Sequence, residues 1–173
     1  KYGLFFAPET STANRAMIGG MVGNNSCGSN SVVYRSTREH LISLKMILAD
    51  GEEVEFKELS LKEFKDKVSG LTCSSKLEQN IYTTINDILS DKENQKEITS
   101  GFPKPTVTRR NTGYAIDLLM HMEPFSGKGE RFNMCKLVAG SEGTLGFITE
   151  IKLDIDPLPP RHNALICIHF ESL

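Results

Sequence analysis

Residues Gly140 to Thr149 read GSEGTLGFIT, and no other stretch of the chain restricts its backbone as tightly. Gly140, Gly143 and Gly146, with one acid and small hydroxyls among the residues between them, describe a main chain that turns sharply and lets another group approach closely. Directly afterwards ITEIKLDIDP alternates Ile151, Leu153 and Ile155 with Lys152, Asp154 and Asp156, the period of a strand with one wet face, stopped at Pro157. The loop therefore feeds a strand, predicted over Phe147 to Ile155. Taken alone the glycines have two readings: a turn between elements, or a surface for a ligand.

A second small-residue segment lies near the start. Pro8 to Gly28 read PETSTANRAMIGGMVGNNSCG, an extended Pro, Ser and Thr stretch running into Ile18, Gly19 and Gly20 and ending in Cys27 and Gly28. Side chains this small leave main-chain N–H groups bare, and such groups at a helix start favour phosphate or carbonyl oxygens. The segment matches neither GxGxxG after a strand nor GxxxxGK followed by Ser or Thr, which disfavours a nicotinamide Rossmann site and a P-loop.

Between these segments the pattern is ordinary. LISLKMILADGEEVEF places two strand-like runs around Asp50-Gly51, predicting a hairpin over Leu41 to Phe56 closed by a type I′ turn. Ser60 and Glu63 form a capping box ahead of the stripe Leu61, Phe64, Val68 and Leu71. A second stripe, Leu77, Ile81, Ile85, Ile88 and Leu89, predicts a helix that dissolves into the charged run Asp91 to Glu97. Residues 92–105 and 123–131 read as exposed loops. The expectation is an α+β domain with a mostly antiparallel sheet, covered on one side by the two helices.

With 173 residues, 39% hydrophobic and 24% charged, the chain can bury one core of ordinary size. A net charge of −2 with interspersed signs leaves no electrostatic footprint for nucleic acid. No apolar run approaches the roughly 18 residues of a membrane span, and no leader pattern opens the chain. Cys27, Cys73, Cys135 and Cys167 lie far apart, without zinc or iron–sulfur spacing, and read as free buried thiols of a reducing cytoplasm. His40, His121, His162 and His169 are scattered, and no metal site is expected. The chain opens on Lys1 within the apolar run Tyr2 to Phe6 and closes on the strand-like ALICIHFESL, which reads as a piece of a longer protein.

Arg109 to Tyr114, RRNTGY, has two readings. One is a solvated loop feeding a helix, with Thr112 as cap and Tyr114, Leu118 and Leu119 packing inward. The other uses the guanidinium fork, which is suited to bidentate capture of a carboxylate. On that reading Arg109 or Arg110, with Thr112 as a second hydrogen-bonding group, serves substrate.

IGGMVGNNSCG, RRNTGYAIDLL and GSEGTLGFITEIKL, in this order, resemble the FAD-linked oxidase family, the vanillyl-alcohol oxidase type of flavin fold, and within it the D-lactate dehydrogenase and glycolate oxidase subunit branch. The likeness covers residues 1–160. It implies the second subdomain of the FAD-binding domain there, with residues 161–173 beginning the following cap or substrate domain. The first subdomain of the family carries a loop of the form RGGGT over the pyrophosphate, and these residues hold no counterpart.

The resemblance also implies roles. Pro8 and Glu9, then Ser11 and Thr12, stand where the family has a proline and acid followed by small residues approaching the flavin. Ile18, Gly19 and Gly20 match its hallmark glycine pair, and Gly23, Asn24, Cys27 and Gly28 the stretch under the isoalloxazine and ribityl chain. Met17 stands where the family often has a hydroxyl or thiol, and Asn25-Ser26-Cys27 replaces commoner small apolar residues. Glu142, Gly143, Gly146 and one of Phe147 or Ile148 correspond to positions lining the adenine or ribityl side. The implied activity is oxidation of a 2-hydroxy acid such as D-lactate or glycolate, by hydride transfer to flavin N5 and onward to an electron acceptor such as an iron–sulfur domain or subunit. The same resemblance places the catalytic base and any metal ligands beyond Leu173. Two other readings are a module that kept the fold without cofactor, and an unrelated α+β domain whose glycines serve turns only.

Overall fold

The computed structural model describes residues 2–107, 109–111, 113–127, 129–162 and 164–171. In chain order the elements are β1 (Leu4–Phe5), α1 (Ile18–Gly23), α2 (Ser31–Tyr34), α3 (Thr37–His40), β2 (Leu41–Ile47), β3 (Glu53–Phe56), β4 (Glu58–Leu59) and α4 (Leu61–Val68). Then follow α5 (Lys76–Ser90), α6 (Lys92–Gly101), α7 (Ile116–Met120), β5 (Phe132–Asn133), α8 (Cys135–Val138), β6 (Phe147–Leu153) and β7 (Asp156–Pro157). The fold is α+β, with every strand pair antiparallel.

The sheet runs β3-β2-β6, with β2 central. Its inward residues Leu44, Met46, Val54 and Phe56 are buried, and the half-buried Ile148, Ile151 and Leu153 of β6 join them. Phe64 of α4 and Tyr82, Ile85 and Leu89 of α5 close the same core. The capping box forms as expected: Ser60 Oγ accepts from the Glu63 amide, and the Glu63 carboxylate accepts from the Ser60 amide at 2.8 Å. The buried acid Glu78 of α5 is held by Lys67 at 2.6 Å and by the Ser74 amide at 2.6 Å, so its charge is compensated.

Several local expectations are corrected. The hairpin turn is not type I′, which needs positive φ at both central residues; here Gly51 is left-handed at φ 87° while Asp50 is not among the left-handed residues. The Gly51 amide bonds the Leu48 carbonyl at 3.0 Å and the Leu48 amide bonds the Glu52 carbonyl at 2.9 Å, giving a type I turn followed by a left-handed glycine. Residues 92–101 are helical rather than loop, because the Asp91 side chain caps the amides of Glu93 and Asn94, both at 2.9 Å. Helix α4 stops at Val68, leaving Leu71 beyond it and exposed. Strand β6 ends at Leu153, not Ile155, since the Asp154 amide turns to the His40 carbonyl at 2.7 Å and the chain then pairs with β1.

Residues 164–171 carry no strand, although their apolar alternation reads as one: they have no ladder partner among the described residues, and Leu165, Ile166, Ile168 and Phe170 are exposed. All four cysteines are free, yet only Cys135 is buried; Cys27 and Cys73 are half-buried and Cys167 is exposed. His40 is structural: its Nδ1 donates to the Ser36 carbonyl at 3.0 Å and its Nε2 lies 2.7 Å from Asp156, which ties β7 to α3. Among the described residues no helix is long and apolar enough to cross a membrane, and no group of three or more His, Cys, Asp or Glu is placed to hold a metal.

Candidate functional site

Three segments far apart in sequence meet at the edge of the core. The Gly140 amide bonds the Val22 carbonyl at 3.0 Å and the Glu142 amide bonds the Gly23 carbonyl at 2.9 Å, so the GSEGTLG loop lies along α1 backbone to backbone. The RRNTGY segment rests on the loop after α1: Asn25 Nδ2 donates to the Arg110 carbonyl at 3.5 Å, and Arg109 Nε donates to Cys27 Sγ at 3.3 Å. Tyr114 reaches the GSEGTLG loop through its hydroxyl, 2.5 Å from Thr144 Oγ1. Tyr114 is therefore exposed rather than packed inward, and α7 starts after Ala115 rather than from a cap at 112. Thr112 itself lies outside the described residues.

Beneath this junction a cluster of polar side chains is buried. Asn25 adopts a left-handed backbone at φ 48°, and its Oδ1 accepts from the Arg38 amide at 2.9 Å and from Ser36 Oγ at 2.8 Å. Thr37 donates to the Ser26 carbonyl from both its amide, at 3.0 Å, and its hydroxyl, at 2.8 Å. Arg38 is 1% exposed, and its Nη2 donates to the carbonyls of Gly113, at 3.0 Å, and Ala139, at 2.5 Å. Burial lowers the pKa of this guanidinium, an effect opposed by Glu39, added to by Arg110 and opposed again by Asp117. Ser36 and Arg38 were not among the residues singled out from sequence, and Asn25 was noted only as a departure from the family pattern. The readable trace of them was the capping box Ser36-Thr37-Arg38-Glu39 that opens α3.

The glycines divide by what faces them. A Cβ on Gly28 would sit 1.3 Å from the Glu9 carbonyl oxygen, so Gly28 is glycine because segment 8–12 packs on it. Gly19, Gly20 and Gly143, in contrast, face open space. Gly19 and Gly20 are not left-handed, so neither packing within the chain nor backbone conformation demands a glycine there. Space is left there for a group outside these residues to approach the backbone closely. The helix start offers it donors, because no side chain caps α1.

The other candidate residues are placed as follows. Glu9 accepts from Asn30 Nδ2 at 3.2 Å, and Ser11 and Thr12 are exposed in the turn after Pro8. Met17 and Ile18 are exposed beside the glycine pair, and the exposed Asn24 donates to Ser26 Oγ at 3.2 Å. Gly23 packs on Glu142, and Glu142 is itself left-handed at φ 51°. Phe147 is exposed, whereas Ile148 packs against the sheet core. Gly146 lies against Met46 and the Ile47 carbonyl, within the protein rather than at its surface. Of the paired arginines, Arg110 is committed: it bridges Asp117 at 2.5 Å, with side chains 12% and 11% exposed, and its guanidinium lies 5.9 Å from the Phe102 ring centroid. Arg109 is exposed on the junction.

Comparison with known proteins fits this arrangement. Residues 1–57 match the family described as FAD binding domain. The chain is 34% identical over 158 residues to D-2-hydroxyglutarate dehydrogenase of Pantoea ananatis, covering 91% of this chain and 14% of that protein. It is 32% identical over 171 residues to the protein of the same name from Escherichia coli K12, covering 99% of this chain and 15% of that one. Against the mitochondrial D-lactate dehydrogenase [cytochrome] of Arabidopsis thaliana it is 23% identical over 167 residues, 96% of this chain and 18% of that protein. The chain thus spans about 15% of the length of the curated D-2-hydroxyglutarate dehydrogenases it matches. Over nearly its whole length the chain is similar to dehydrogenases of the FAD-linked oxidase family, and residues 1–57 match an FAD binding domain.

Proposed function

We propose that this chain supplies one side of the flavin cradle of an FAD-dependent dehydrogenase that oxidises a 2-hydroxy acid. The observation that carries the reading is the meeting of segments 18–28, 109–114 and 139–146 around glycines that face open space. The names of its relatives favour D-2-hydroxyglutarate as substrate, with D-lactate and glycolate as the neighbouring chemistries. Residues 1–160 correspond on this reading to the second half of the FAD-binding domain, and those from 161 onward begin the next domain.

Bound FAD would supply the hydride acceptor at N5. The chain's own contribution is positional. Backbone amides at Ile18, Gly19, Gly20 and Gly143 would face the cofactor, and Glu9, Ser11, Thr12 and the half-buried Cys27 line the neighbouring surface, whereas Pro8 is buried beneath it. Arg109 is the substrate-side candidate because Arg110 already has a carboxylate partner in Asp117. An exposed guanidinium beside the cradle provides a fork for the substrate carboxylate. The base and the electron acceptor, an iron–sulfur domain or subunit among the options, lie elsewhere in the protein. Four unpaired thiols support a cytoplasmic setting.

The test is purification of the intact protein. A bound flavin absorbing near 450 nm, bleached anaerobically by D-2-hydroxyglutarate more readily than by its L enantiomer, is the expected result. A colourless protein that neither binds FAD nor consumes any hydroxy acid would leave the glycine loops as turns in a non-catalytic module.

A further inference from the structure

The three cradle segments share no secondary structure, yet one buried residue touches all of them. The Arg38 amide donates to Asn25 Oδ1 at 2.9 Å, fixing the loop after α1. Its Nη2 donates to the Gly113 carbonyl at 3.0 Å in the RRNTGY segment and to the Ala139 carbonyl at 2.5 Å, one residue before GSEGTLG. From the other side, Lys136 Nζ donates to the Arg38 carbonyl at 2.9 Å and anchors the residue to α8. Gly140 is shaped to this arrangement: it is left-handed at φ 92°, and a Cβ there would come within 2.8 Å of Arg38 Nη2 and 3.1 Å of the Gly113 carbonyl oxygen.

We propose that Arg38 is the positioning residue of the cradle: one buried guanidinium and its own amide hold the three glycine-bearing segments at the separation that flavin binding requires. This rests on the flavin reading above. The geometry points to a cradle role because the groups Arg38 holds, the Asn25 side chain and the Gly113 and Ala139 carbonyls, each belong to or adjoin one of the three glycine segments, although Ala139 itself packs in the core. Its Nε has no partner among the described residues, nor do Arg110 Nη1 and Asp117 Oδ1. Unsatisfied buried donors are a poor way to gain stability. A planar guanidinium reaching two carbonyls from one nitrogen also fixes distance and angle together, which a shorter or apolar side chain cannot do.

The experiment uses the intact protein and three variants: Arg38→Met, which removes the donors; Gly140→Ala, which keeps Arg38 but crowds its Nη2; and Leu89→Ala, a scaffold control at a fully buried core position. Melting temperature is measured on the FAD-stripped proteins, and FAD affinity by fluorescence quenching. Arg38→Met and Gly140→Ala are expected to weaken FAD at least about tenfold and to shift the visible flavin spectrum, as displaced binding groups do. Leu89→Ala is expected to lower the melting temperature as much or more while holding FAD within about twofold of wild type. If Arg38→Met does not fold, Gly140→Ala carries the same comparison. Wild-type affinity in the Arg38 and Gly140 variants, or FAD loss in Leu89→Ala matching theirs at equal loss of melting temperature, overturns the positioning role and leaves the flavin reading intact. A wild-type protein that binds no FAD overturns both.

Discussion

Around the sheet, Phe56, Phe64, Tyr82 and Phe132 meet ring to ring at centroid distances of 4.6–6.2 Å, and the buried acid Glu78 has Lys67 and a backbone amide on its oxygens. Around the glycine segments the polar Asn25, Ser36, Thr37, Arg38 and Asp117 are buried alongside the apolar Met21, Val22, Val138 and Ala139. Among the described residues, the buried side-chain atoms without a partner are Ser31 Oγ, Arg38 Nε, Arg110 Nη1 and Asp117 Oδ1, and all of them lie on this second side. So do the left-handed residues that are not glycine: Asn25, Arg35 and Glu142. Strain and unmet hydrogen bonding each cost on the order of 1–3 kcal/mol per group. An apolar core has no reason to carry such costs. Their confinement to the side where Gly19, Gly20 and Gly143 face open space separates a region shaped by its own packing from the one proposed to receive the flavin.

The comparison is broken most severely by FAD itself. These residues contain no counterpart of the family's pyrophosphate loop, so the 173-residue chain is expected to bind FAD only at millimolar concentration or worse, roughly a thousandfold weaker than an N-terminally extended version. Parallel fluorescence titrations check this, and equal tight binding by the two would show that the cradle described here suffices alone.

On the packed side, Phe64→Ala removes a side chain that is 1% exposed and touches three other rings besides the sheet, and is expected to cost about 3–5 kcal/mol in denaturant unfolding. Flavin content per folded molecule is expected to stay unchanged. A matching loss of flavin would mean that the two sides are not separable.

At the junction, Arg109→Lys keeps the charge and loses the fork. In the intact enzyme it is expected to lower kcat/KM for the hydroxy acid about tenfold or more. Unchanged kinetics would return Arg109 to the role of a solvated loop residue.

The smallest effect is one of pH. Burial pushes the Cys135 thiol up to about 12 from an ordinary 9.0, and the thiol donates to the Phe56 carbonyl at 3.1 Å. The folded state therefore holds this proton more tightly than the unfolded state does. Its stabilising contribution is complete below pH 9.0 and is lost as pH rises from there through about 12. Unfolding free energy is expected to fall by about 1 kcal/mol by pH ~10 from this group, and Cys135→Ala to flatten that decline. An identical alkaline slope in wild type and variant would assign the decline to other groups.

Where the signal was local, the sequence was sufficient. The Ser60–Glu63 box, the Leu77 to Leu89 stripe, the hairpin around Gly51 and the strand after Gly146 depend on neighbours within a few residues, and each is present. Errors arose where one nearby contact redirected the chain. Asp91 caps a helix in what reads as a charged loop, and His40 ends β6 early by accepting the Asp154 amide. The glycine segments were legible as candidates because small residues and breaks in periodicity leave a trace in any sequence. That Arg110 has a carboxylate partner while Arg109 reaches only the Cys27 thiol could not be read, since the two are adjacent and identical, and what separates them is Asp117 in the first turn of α7.

Composition, periodicity and caps thus determined the central hairpin, the helices beginning at Leu61 and near Leu77 and the strand after Gly146, and marked the three segments proposed to face a ligand. Only the tertiary structure decided that Val22, Gly23, Gly113 and Ala139 meet, and that Arg38 lies under them. The physical reason is that these contacts join carbonyls and amides more than 70 residues apart. Every residue carries the same backbone groups, so nothing in the side-chain pattern announces which of them a buried guanidinium will reach.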